Sequence, residues 1–239
     1  MMKKNVLKSL SLMFFACMTL SASAADLDGV TYQGIAKMPG QPVDLWTTVD
    51  INGSELKYNL ADMATFSGNV TTKDVAGKLT VSGSLQPGDA PITLTSSDGG
   101  SSFEGKFTLR GTPLSTWLLR VPSELTPATQ STQELIDIVG NGNGYTSFVL
   151  VAMNGGMSCV TADFSLDKAS GAWKITCDSE KLQQIFENLH GEYSIDGANI
   201  TFTNSLGRSF SGTIYDNGNY IKSSLGSAGG VNLSLVLIR

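Results

Sequence analysis

The sequence is poor in the residues that build reactive centres. It has one histidine, His190, and three cysteines, Cys17, Cys159 and Cys177. A zinc site needs three or four close ligands, which so few His and Cys residues do not supply. Any Ser-His-Asp or Cys-His centre would have to use His190, and the Gly-x-Ser-x-Gly elbow is absent. Basic residues are scarce too: 16 Lys and Arg against 21 Asp and Glu, for a net charge of −5 and no basic cluster. Such a chain is repelled by phosphate backbones and anionic lipid surfaces, which argues against nucleic acid as a partner. Long apolar runs are missing as well. Ser9 to Leu20 is the longest mostly apolar stretch, and a permanent membrane helix needs about 20 residues.

That stretch belongs to a three-part pattern. Lys3, Lys4 and Lys8 precede it, and Ser21-Ala22-Ser23-Ala24-Ala25 follows. A positive start, an apolar middle and an Ala-x-Ala end predict a signal peptide, residues 1–24, cleaved after Ala24. The protein is therefore expected to be exported, to the periplasm or beyond the cell. Phe14-Phe15-Ala16-Cys17 also loosely fits a lipidation signal, so a lipid anchor on Cys17 is the alternative. Cleavage removes three lysines and leaves a more acidic chain.

Glycine is plentiful, 26 residues, all after the leader. With abundant Thr and Ser, this composition predicts short strands joined by tight turns. The first group of strands is Val30 to Ala36, Asp44 to Ile51, Glu55 to Leu60, Lys78 to Ser82, Ile92 to Thr95, Phe103 to Arg110 and Thr116 to Val121. Asn52-Gly53 is the strongest hairpin signal, with positive φ expected at both positions. Residues 122–144 read as a linker, with a short helix opened by the capping box Ser131-Thr132-Gln133-Glu134. Gly140 to Gly144 follows a helix and opens a strand, so it reads as a tether and not a phosphate loop. The second group runs from Tyr145 to Ile238. It includes a helix over Glu180 to Leu189, whose Leu182, Ile185, Phe186 and Leu189 share one face.

The two groups resemble copies. Gly77 to Gly83 lines up with Gly191 to Gly197, Ile92 to Thr95 with Ile200 to Thr203, and Ser102 to Phe107 with Ser209 to Ile214. The expected organisation is a first β-domain over 25–121, the linker, and a second β-domain over 145–239. Cys159 and Cys177 fall on opposite faces of their strands unless a bulge shifts the register, which leaves a disulfide open.

Leu27-Asp28-Gly29-Val30-Thr31-Tyr32-Gln33-Gly34, then Lys57-Tyr58-Asn59-Leu60 and Gly77-Lys78-Leu79-Thr80-Val81, is similar to the calycin-like, lipocalin-related domains of exported bacterial proteins. The likeness covers residues 27 to 121 and, more weakly, 145 to 239. It implies antiparallel barrels that often carry no assigned activity.

The fold class expected is thus all-β with minor α: two antiparallel β-barrel or β-sandwich domains, calycin-like, with one amphipathic helix in the second. Asp44, Asp50, Glu55 and Asp62 read as solvated carboxylates, and Asp216-Asn217-Gly218-Asn219 reads as a turn and not a calcium loop. No catalytic constellation, cofactor or metal is expected. The function expected is non-catalytic binding. The ligand is a small apolar molecule or lipid inside a barrel. Alternatively, filled barrels present a surface to an envelope protein or glycan. Ala61 to Val75, with Gly68 and several Thr, reads as a loop that leaves one end of the first barrel open. That places the ligand near Trp46, Tyr58, Met63 and Phe66.

Overall fold

The computed structural model describes residues 27–41, 43–153, 156–176, 190–228 and 231–239. The leader, Cys17, Cys177 and the helix expected over Glu180 to Leu189 lie outside the described residues.

Eight strands follow one another in the first half: β1 (Val30–Lys37), β2 (Asp44–Asn52), β3 (Glu55–Leu60), β4 (Ala64–Val75), β5 (Lys78–Leu85), β6 (Ala90–Ser96), β7 (Ser102–Leu109) and β8 (Thr112–Val121). Each pairs antiparallel with the next, and β1 pairs with β8 from Thr31↔Val121 to Lys37↔Ser115. The sheet closes on itself as an eight-stranded up-and-down barrel, the architecture of calycin-like folds.

The second half repeats the scheme: β9 (Tyr145–Met153), β10 (Gly156–Asp167), β11 (Ala172–Thr176), β12 (His190–Asp196), β13 (Asn199–Asn204), β14 (Ser209–Tyr215), β15 (Tyr220–Ala228) and β16 (Val231–Ile238). Here β16 returns to pair with β9, from Ile238↔Thr146 to Asn232↔Ala152. The two rings are joined by hydrogen bonds between β2 and β10, at Leu45↔Ser158 and Asp44↔Cys159. All sixteen strands therefore form one sheet, and strand pairing by itself draws no boundary at 122–144.

Alternation sorts the side chains of the first ring. Tyr32, Val49, Leu56, Tyr58, Phe66, Val81, Leu94, Phe103, Phe107 and Leu118 point inward and are buried in one cluster, while Lys57, Lys73, Thr93 and Lys106 are exposed outside. An apolar interior under a polar exterior is the reverse of a membrane-spanning barrel. No described helix is long and apolar enough to cross a membrane. Strands approach so closely that some positions take only glycine. A Cβ on Gly105 would lie 2.0 Å from the Thr93 carbonyl oxygen of the neighbouring strand.

Several expectations need correcting. Ala64–Val75 is a full strand, β4, so the expected open loop is only the turn at Ala61 to Met63. Its burial pattern gives little strand signal: Phe66 and Val70 alone are buried, with Gly68 between them on the same face. Gly68 also sits where a Cβ would meet the Ser84 carbonyl oxygen at 2.5 Å. A glycine required by close strands thus masqueraded as a loop residue. At the Asn52-Gly53 hairpin, Asn52 pairs with Glu55 and the loop residues are Gly53 and Ser54, of which only Gly53 has positive φ, +59°.

The linker segment carries the expected helix. This helix, α1 (Thr132–Val139), has the expected capping box, with Ser131 and Glu134 exchanging side chain-to-backbone hydrogen bonds. α1 packs into a core. Leu135 and Val139 are fully buried in the core of the second ring. Arg239 donates to the carbonyl oxygens of Ile138, Val139 and Asn143 at 2.9, 3.0 and 3.1 Å, satisfying groups left open at the helix C-terminus. Ahead of it, Ala128 N–H donates to Ile214 O at 2.9 Å.

The likenesses seen in sequence do not fall on matching strands. Gly77 to Gly83 spans the fifth strand of the first ring, and Gly191 to Gly197 the fourth of the second. Phe103 is on a seventh strand and Phe210 on a sixth. A different correspondence exists in three dimensions. Tyr32, on the first strand of its ring, donates to Gly100 O at 2.8 Å, and Tyr145, on the first strand of its ring, donates to Gly218 O at 2.6 Å. Both glycines sit between the sixth and seventh strands, with φ of +90° and +89°.

Candidate functional site

Aromatic side chains pack against one another inside the first ring. Tyr58 stacks on Phe107 with centroids 4.4 Å apart, and Phe66 meets Phe107 edge-on at 4.9 Å. The Tyr58 hydroxyl lies 3.1 Å from Thr116 Oγ1, and burial pushes its pKa up. In the second ring Phe164 stacks on Trp173 at 5.6 Å, with Phe202 edge-on to both.

Of the four residues expected around a ligand, Tyr58 and Phe66 come together inside the first barrel. Trp46 and Met63 do not join them. Val49 and Ile51 face inward on β2, so Trp46, an odd number of residues away, faces outward. It is buried because the second ring covers it. Met63 is 62% exposed in the turn after β3, against Gly156 at the start of β10.

Trp46 belongs to a third apolar cluster, lying between the rings. Phe148 of β9 inserts beside Trp46 and Trp117 of the first ring, with centroids 5.1 and 5.9 Å away. Ile35, Val121, Leu150, Val236 and Ile238 complete the contact. The Tyr220 hydroxyl donates across it to Gln33 Oε1 at 3.0 Å; burial, partly offset by that bond, pushes its pKa to about 12. Cys159 is free and buried here, on the face opposite Ala162, Phe164 and Leu166 as alternation requires. Burial, with the nearby Asp44 charge, pushes its thiol pKa up, so it is a poor nucleophile.

At one end of this contact the rings diverge into a cleft of about 440 Å³. Ser101, Arg120 and Ser123 come from the first ring and its exit, and Asp216, Asn219 and Ile238 from the second. Two turns shape it. In the turn at 97–101, burial raises the Asp98 pKa, but hydrogen bonds from Ser102, Ser96 and backbone N–H groups outweigh this and hold it at about 2. The 216–218 turn has Asp216 and Asn217 in the left-handed region, at φ of 45° and 52°. No sequence signal marked the cleft, because its residues come from five separate turns and strand ends. Among the described residues no cluster of His, Cys, Asp and Glu could hold a metal.

No family model matches the chain, and no curated protein does. One solved structure is similar to it, described as intact Ap-TbpB with its N and C lobes. The match has 11% identity and a TM-score of 0.27. It covers 88% of this chain and 59% of that one, so the chain spans less than two thirds of that relative's length.

Proposed function

We propose that this is an exported, non-catalytic binding protein that recognises its partner on the outside of filled barrels, an envelope or surface component in place of a lipid held inside. The observation that carries this reading is the interior itself. Tyr32, Tyr58, Phe103, Phe107, Phe164 and Phe202 are fully buried, and the inward faces of both rings form continuous apolar clusters. A ligand inside either barrel would have to displace several aromatic side chains, each contributing about 1.5–3 kcal/mol by its burial. The leader pattern supports export. The matched Tyr32 and Tyr145 contacts support a reading of the rings as two copies of one unit, aligned strand for strand.

The test is native mass spectrometry of protein purified from its source, together with melting in a panel of fatty acids and phospholipids. A bare polypeptide mass and unchanged melting are expected, along with saturable binding of labelled protein to isolated envelope material. A retained lipid, or stabilisation by one member of the panel, would overturn the filled-barrel reading.

A further inference from the structure

We propose that the cleft between the two rings binds a small ligand carrying one carboxylate and at least one hydrogen-bond donor, the carboxylate on Arg120 and the donor on Asp216. This rests on the reading that recognition happens outside the barrels, and it names the site and the ligand chemistry. The volume, about 440 Å³, lies within the range of small-molecule sites, and such sites favour the junction between two packed units.

The charges decide the class. Arg120 takes no part in the ion pairs of Lys37 with Asp44 and Lys168 with Asp137. The other guanidinium there, Arg239, is committed to the carbonyls of Ile138, Val139 and Asn143 and stacks 4.2 Å over Tyr145. That leaves Arg120 to accept an anion, and its planar fork matches a carboxylate. Asp216 keeps acceptor capacity, since its side-chain bond from Asn219 Nδ2 is long at 3.4 Å. A carboxylate in the same cleft repels a second negative charge and favours a donor such as an ammonium or hydroxyl group. A monoanion with a donor therefore fits better than a dianionic phosphate.

The walls are held before any ligand arrives. The 216–219 turn carries two consecutive left-handed, non-glycine residues, a conformation that persists only where its surroundings impose it. Tyr145 holds the Gly218 carbonyl, Gln130 holds Asn217, and Arg239 N–H donates to Asn219 O at 3.0 Å. Both rings are closed by strand pairing, so among the described residues an extended peptide finds no long sheet edge to join and must be recognised through its end groups.

The experiment uses the ¹⁵N-labelled chain from Ala25 onward, titrated with alanyl-alanine and with galacturonate. Alanyl-alanine amide and galactose serve as carboxylate-free counterparts. Saturable shifts of the Arg120 Nε–H and the Ser101 and Asn219 amides are expected with at least one carboxylate probe. Which probe binds separates a peptide end from a sugar acid. The counterpart, and the Arg120→Gln variant with its melting unchanged, should each bind roughly tenfold more weakly or worse. Asp216→Asn should gain affinity for inorganic phosphate. Absence of shifts with both carboxylate probes at millimolar concentration, or equal binding by Arg120→Gln, would overturn the site and leave the filled-barrel reading standing. Lipid-induced shifts at Tyr58 and Phe107 would overturn both.

Discussion

Single hydroxyl groups close each ring at the same corner. Tyr32 and Tyr145 span from a first strand to the turn between the sixth and seventh, and each satisfies one buried carbonyl oxygen. Removing the hydroxyl strands that carbonyl, so Tyr32→Phe and Tyr145→Phe should each lose about 1–3 kcal/mol in urea unfolding. Asp98 gives a pH signature at the same corner. Its folded pKa, about 2, lies below the ordinary carboxylate value of 3.8, so its contribution is full above the unfolded pKa. That contribution is lost as pH falls from about 4 to about 2. The stability gap between the natural chain and Asp98→Asn should therefore narrow across that window. A gap constant from pH 6 to pH 2 would show that the serine hydroxyls stabilise the turn without the charge.

Among the elements, α1 and β4 departed furthest from the sequence reading. The capping box made the existence of α1 legible, but Leu135, Ile136, Ile138 and Val139 do not say which core receives them. The core of the second ring is completed by Leu135 and Val139, each contributing about 1.5–3 kcal/mol. A fragment of residues 122–239 should accordingly melt well above one of residues 140–239, although both contain all eight strands. Equal melting would place α1 outside the folding unit. β4 is hidden in the sequence because an interior glycine such as Gly68 looks the same whether it frees a loop or lets two strands touch. At Gly105 the second role can be tested. Alanine would set its Cβ against the Thr93 carbonyl oxygen, at a cost of about 1–3 kcal/mol or more.

The molecule as a whole is held together at the Phe148 contact and the short β2–β10 pairing. Phe148→Ala should leave both barrels folded but cost about 3–5 kcal/mol. It should also shift tryptophan emission to the red as Trp46 and Trp117 lose their cover. Unfolding in two transitions in place of one would follow if this contact couples the rings. An unchanged emission spectrum would mean that the rings meet elsewhere.

Most of the strands, most of their ends and the capping box could be read from sequence. Alternation and turn chemistry act over a few residues, and these features depend on little else. The sequence reading sets Trp46 beside an inner ligand, but alternation with the inward Val49 and Ile51 turns it to the outside of its strand. What it could not supply was the reason an exposed position carries tryptophan, because the covering Phe148 lies on the other ring. The closure of β1 on β8 and β9 on β16, the seating of α1, and the cleft between Arg120 and Asp216 were decided by tertiary structure alone. Each depends on contacts between residues far apart in the chain, whose distance local periodicity does not encode.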